Sequence, residues 1–163
     1  MTSLAVDYLL TDDQVADFVI SGYHIVKPSF GPEFHSNVYS KLQSLSMNPG
    51  DEINKAVPAL DQIYAHPSVV GALTSLLGDA YVMAAHRHCH RNHPGTRSQM
   101  WHQDNLNIPM LVDGHGRVPD HVKSVLVMYY PQDVEANMGP TALIPGSHLF
   151  TSSPDRNASQ GNF

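Results

Sequence analysis

Cysteine, basic residues and long apolar runs are all scarce in this sequence, and each scarcity excludes something. The single cysteine, Cys89, cannot build an internal disulfide framework and fits a reducing compartment. Nine lysines and arginines against 15 acidic residues give a net charge of −6. With no basic patch to track a phosphate backbone, a nucleic-acid partner is not expected. No apolar stretch approaches the ~20 residues of a membrane span. The opening Met1-Thr-Ser-Leu-Ala-Val-Asp7 lacks the basic and apolar regions of a secretory signal. The expectation is a cytoplasmic protein with no membrane partner.

Charge is scarce as well, at 15% of residues, whereas 12 prolines and 11 glycines punctuate the chain. That balance favours short elements and many turns over a helical bundle. At 163 residues and 42% hydrophobic there is material for a single domain, 1–163, with one core. The one abundance needing a chemical reason is histidine, at 11 residues.

In chain order, the pattern predicts helices first. Thr11 with Gln14 three residues on is a capping-box signature, so a helix is expected over 11–21. Val15, Phe18 and Val19 would form its buried stripe, and Gly22 its stop. Tyr23 to Lys27 reads as a short strand ended by Pro28. A second helix starts near Gly31-Pro32, with Phe34, Val38, Leu42 and Leu45 at spacings of three and four. Asn48-Pro-Gly-Asp51 reads as a turn, and 52–64 as helical with an interruption at Pro58. Pro67 to Leu77, closed by Gly78, is a further helix whose apolar face holds Val69, Val70, Leu73, Leu76 and Leu77.

Beyond Gly78 the character turns to β. Ala80 to Arg91 reads as one long strand, 92–96 as its turn and 99–104 as another strand. Residues 105–122 form a polar connection of the kind that borders active sites. Ser124 to Tyr130 is apolar on both faces and is expected as a central strand. Residues 132–138 form a polar turn, Thr141 to Ile144 a short strand, and 151–163 a polar tail. The division is helical 1–78, β-rich 79–150 and tail, an α+β arrangement with helices packed on a sheet or barrel.

Three constellations carry possible chemistry. His102 and Asp104 lie two apart in Ser98-Gln-Met-Trp-His-Gln-Asp104, so a strand would point both to one side. An imidazole and a carboxylate there supply two thirds of the 2-His-1-carboxylate set that holds non-haem Fe(II). The spacing alone is near chance in a chain this rich in histidine, and an exposed loop pair is the rival reading. The second constellation is His86, His88, His90 and His93. The first three would share one strand face, either as a Zn or Cu site or as a polar face lining pocket or solvent, with Cys89 on the other side. The third is Met138-Gly-Pro-Thr-Ala-Leu-Ile-Pro-Gly-Ser-His148, two tight turns around a short strand. His148 there either ligates a metal or serves the turn.

Trp101-His-Gln-Asp104, the strand ending Met128-Tyr-Tyr-Pro131, and Met138 to His148 together resemble the phytanoyl-CoA dioxygenase (PhyH) family. Leu10 to Tyr23 is similar to that family's opening helix and strand, so the likeness runs from about residue 10 to 150. It implies a double-stranded β-helix (jelly-roll), Fe(II) as cofactor and 2-oxoglutarate as co-substrate, with O2 and a small organic substrate as partners. His102 and Asp104 would be iron ligands and His148 a turn residue. A distal histidine and an arginine for the far carboxylate of 2-oxoglutarate would follow later in the chain. Here only Arg156 is basic after His148 and no histidine follows it. The resemblance therefore implies a C-terminally truncated fragment with an incomplete jelly-roll, inactive alone. The rival expectations are a His-rich, cupin-like metal-binding protein using His86, His88 and His90, and a non-catalytic fragment. Whether even or odd residues of 80–91 face a pocket stays open in the sequence.

Overall fold

In the computed structural model, residues 6–85, 87–93, 95–102, 122 and 124–149 are described. Helix α1, Asp12–Ser21, starts as its capping box requires. Thr11 Oγ1 accepts the Gln14 amide at 3.3 Å, while Gln14 Oε1 accepts the Thr11 amide at 2.9 Å. Two of the amides orphaned at a helix start are thereby satisfied, and Asp12 and Asp13 sit at the positive end of the dipole. Gly22 ends the helix in the left-handed region (φ +84°), with its amide on the Phe18 carbonyl at 2.7 Å. The expected buried stripe is a correction: α1 has no fully buried residue, and Val19 is 50% exposed. A local period marks which face is apolar, not whether anything covers it.

Helix α2, Pro32–Ser44, opens with proline at its first turn, where the missing N–H costs nothing. The interrupted stretch resolves into α3, Ile53–Ala56, and α4, Leu60–Tyr64, separated at Val57-Pro58-Ala59. Val38 of α2 closes on Ile53, Val57, Leu60 and Ile63 to form the buried core, flanked by half-buried Phe30, Phe34, Leu42 and Leu45. Because the α3–α4 break leaves Val57 buried at 1% exposure, the kink itself contributes to the core. The expected turn at 48–51 is present, with Asn48 Oδ1 accepting the Gly50 amide at 3.0 Å.

Helix α5, Pro67–Leu77, is capped by His66, whose ring accepts the Ser68 amide at 3.3 Å. Its tightest face is Val69, Gly71 and Ala72 rather than the larger leucines. Gly71 is where the 3-10 turn Val6–Tyr8 lies on the helix: a Cβ there would run into the Tyr8 carbonyl. Ser75 completes the joint, accepting the Leu10 amide at 2.9 Å and donating to the Gly71 carbonyl. Among the described residues no helix is long and apolar enough to cross a membrane.

The second half corrects the strand expectations. Among the described residues, the stretches read as strands at 23–27, 80–91, 99–104, 124–130 and 141–144 form no β-ladder. Their described residues carry no helix or strand, and the second half holds short 3-10 turns at Ala136–Met138 and Ser147–Leu149. Alternating apolar residues specify an extended, pleated conformation, but a strand exists only where a neighbouring backbone takes up its N–H and C=O groups. Ser124 to Tyr130 was expected to be central; instead Leu126, Val127, Met128 and Tyr130 are 40–62% exposed. The tail 151–163 and nearly all of 105–122 lie outside the described residues.

Candidate functional site

The segment 87–93 is held to the helical half by its odd-numbered residues 87, 89 and 91. Arg87 donates from its backbone amide to Asp51 Oδ1 and from Nε to the Asp51 carbonyl, both at 2.9 Å. The Asn48 amide group bonds the Cys89 carbonyl at 3.1 Å, and the Cys89 side chain rests on the core. Arg91 reaches the end of α2, donating to the Leu42 carbonyl and to that of Leu45 at 3.0 Å. A guanidinium on the last carbonyls of a helix satisfies orphan acceptors and opposes the negative end of the dipole. The parity question is thus answered for the helical side: Arg87, Cys89 and Arg91 face it, while His88 and His90 are exposed. The His88 and His90 rings meet edge-on, centroids 6.1 Å apart. His86 lies outside the described residues.

His102 is exposed, with Nδ1 2.8 Å from the Met100 carbonyl. A carbonyl only accepts, so the neutral ring carries its hydrogen on Nδ1 and its lone pair on Nε2. Metal-bound imidazoles are oriented in the same way, with the other ring N–H on a carbonyl or carboxylate. The donor chemistry of His102 therefore fits a metal. Asp104 lies outside the described residues, and among those described no three His, Cys, Asp or Glu side chains gather into a metal site.

The Met138–His148 stretch is fastened at both turns. Asn92 donates to the Gly139 carbonyl at 2.7 Å, and a Cβ at Gly139 would come within 2.9 Å of the Asn92 amide nitrogen. At the other end Gly146 donates to the Ser21 carbonyl at 2.8 Å, and His148 Nε2 lies 2.9 Å from the Val19 carbonyl. His148 serves the turn, as one of its two readings anticipated, and does so by tying that turn to α1.

A third tie runs from α2 to the segment before this motif. His35 Nδ1 and the Tyr129 hydroxyl are 2.8 Å apart, and Phe30 packs edge-on against His35. Burial raises the Tyr129 phenol above its ordinary value of 10.0. Tyr64, on α4, is also raised by burial, with Arg87 pulling it down and Asp61 pushing it up by smaller amounts. His35 forms part of the wall of an open depression lined also by Tyr130, Asp133 and Thr141, where Tyr130 donates to Thr141 Oγ1 at 2.7 Å. Sequence reasoning missed His35, His66 and Asn92. The only local signal among the three is His66 directly before Pro67-Ser68, where an N-cap belongs.

The model of the phytanoyl-CoA dioxygenase (PhyH) family matches residues 50–160, more than half of the chain. The protein belongs to this family. A search of curated proteins and a search of solved structures each returned no match. Membership suggests a dioxygenase, with O2 and a small substrate as reactants, and the family typically uses Fe(II) and 2-oxoglutarate. The double-stranded β-helix that the family implies stands against described residues that form helices and no strands.

Proposed function

We propose that this chain is part of a non-haem Fe(II)- and 2-oxoglutarate-dependent dioxygenase hydroxylating an unactivated C–H bond of a small organic substrate. The observation that carries the reading is the family match, whose span of 50–160 contains both His102 and Asp104. His102 Nε2 and the Asp104 carboxylate would hold the metal, two apart in sequence and chemically suited to Fe(II). When bound, Fe(II) with 2-oxoglutarate supplies the oxidation by O2, which no amino-acid side chain provides.

The roles left to the chain are binding and orientation. The Met100 carbonyl orients the His102 ring and favours the hydrogen on Nδ1, which leaves Nε2 as the ligand atom. The helical layer anchors 87–93, which through Asn92 holds the Gly139 turn. We read 1–163 as one domain, with helices at 1–78 supporting a β-rich 79–150, and Cys89 against the core as suited to the reducing cytoplasm. Succinate formation from 2-oxoglutarate, in the presence of Fe(II) and O2, tests the assignment. The enzyme to which this chain belongs should produce it, and His102→Ala and Asp104→Ala should each abolish it; succinate retained in either variant overturns the reading.

A further inference from the structure

The depression beside α2 is built from two parts of the chain 94 residues apart, joined by the bond between His35 Nδ1 and the Tyr129 hydroxyl. His35 forms one wall, and residues 130–134 with Pro140 and Thr141 form the rest. Tyr130 is braced in turn, donating its hydroxyl hydrogen to Thr141 Oγ1 at 2.7 Å. Two consecutive tyrosines are thus each fixed through the hydroxyl, one to the helix and one to a second lining residue. The volume, about 660 Å³, lies within the roughly 300–1,000 Å³ usual for small-molecule sites.

The lining selects by charge. Among the described residues it holds one carboxylate, Asp133, and no lysine or arginine. Among the same residues the Asp133 carboxylate makes no ion pair or hydrogen bond. Tyr130 has committed its single hydrogen to Thr141, so its oxygen keeps lone pairs that can only accept. Pro131 and Pro140 bring no N–H donor and add apolar ring surface. A dianion such as 2-oxoglutarate finds no counter-charge in this lining. We propose that the depression binds a small organic ammonium, with Asp133 as counter-ion and Tyr130 as the aromatic, hydrogen-bond-accepting wall. A cation is drawn both to a carboxylate and to the face of a phenol ring, and Tyr130 is 46% exposed. The proline rings suit the alkyl groups of such a ligand, and the net charge of −6 favours its approach. The site uses neither His102 nor Asp104, so it stands apart from the dioxygenase reading.

Choline is the probe, compared with dimethylbutanol, the isostere that has carbon in place of the charged nitrogen. Each is titrated into the full chain, without metal or 2-oxoglutarate, while backbone amide shifts are followed by NMR. Choline should give saturable shifts at Val134 and Thr141, and the neutral isostere none. Asp133→Asn removes the charge but keeps the side-chain shape, and should weaken choline binding roughly fivefold. Tyr130→Leu should weaken it roughly two- to fivefold through loss of the ring. Both variants should keep the wild-type circular dichroism spectrum. The absence of saturable shifts with choline in the wild-type chain overturns the proposal. So does equally tight binding of the neutral isostere, or unchanged choline affinity in Asp133→Asn.

Discussion

His148 Nε2 lies 2.9 Å from the carbonyl oxygen of Val19, 129 residues earlier in the chain. Together with the Gly146 amide on the Ser21 carbonyl, it satisfies two of the carbonyls that a helix leaves open at its C-terminus. The Pro-Gly-Ser-His turn and the first helix are thus one structural unit, with the His148 ring lying directly over Gly22. Gly22→Ala should cost roughly 1–2 kcal/mol from its left-handed backbone, and more because the new methyl group displaces the ring. Gly50→Ala is the control, since Gly50 is also left-handed (φ +58°) with nothing within 4 Å of a new Cβ. Denaturant midpoints should fall further for Gly22→Ala; equal losses would show that the His148 contact contributes nothing.

Gly71→Ala should destabilise despite replacing glycine by the best helix former. Propensity favours alanine by about 1 kcal/mol, but a Cβ at this position runs into the Tyr8 backbone carbonyl. The 3-10 turn Val6–Tyr8 must then lift from α5. A lower melting temperature is expected, and a rise would show that the turn does not pack there.

Arg91 caps α2 by donating to both the Leu42 and Leu45 carbonyls. Arg91→Ala should lower stability by roughly 1.5–3 kcal/mol, the range for hydrogen bonds made by a charged group. Arg91→Lys should recover only part of this, because a single ammonium cannot reproduce the planar fork. Urea unfolding of the two variants measures the difference, and equal stability of Lys and Arg would contradict the two-pronged cap.

Tyr64 and Tyr129 are both raised above 10.0, in each case chiefly by burial. A phenol whose folded value is raised binds its proton more tightly in the native state. Its contribution is therefore intact below pH 10 and is lost as pH rises from 10 through the folded value. Stability followed by circular dichroism should fall on the alkaline side of pH 10. The fall should be shallower in Tyr64→Phe/Tyr129→Phe; an unchanged slope would assign the alkaline loss to other groups.

The helical half is legible in the sequence because its signals are local. Thr11 with Gln14, proline at 32 and 67, and glycine at 22 and 78 each mark a boundary within one turn of where it forms. The rest depends on partners that no spacing encodes. The approach of Arg91 to Leu42, of Asn92 to Gly139 and of His148 to Val19 spans 47 to 129 residues. The β pattern at 80–91 and 124–130 predicts strands, and the described residues there form none. Pairing is a second condition that alternation does not contain. The candidate iron ligands are legible for another reason: His-x-Asp is weak alone, and it gained its meaning from the Met138–His148 stretch lying downstream in a matching family pattern.

Anaerobic equilibrium dialysis against Fe(II) tests the central claim most directly, since it reads the ligands without requiring turnover. The wild-type chain should retain Fe(II) in excess of His102→Ala and Asp104→Ala, and Asp104→Asn should lose it as well, because the carboxylate charge is removed while the side-chain shape is kept. His88→Ala/His90→Ala should retain the Fe(II) that depends on Asp104. Wild-type Fe(II) retention in Asp104→Ala would contradict the assignment of His102 and Asp104 as the metal-binding pair.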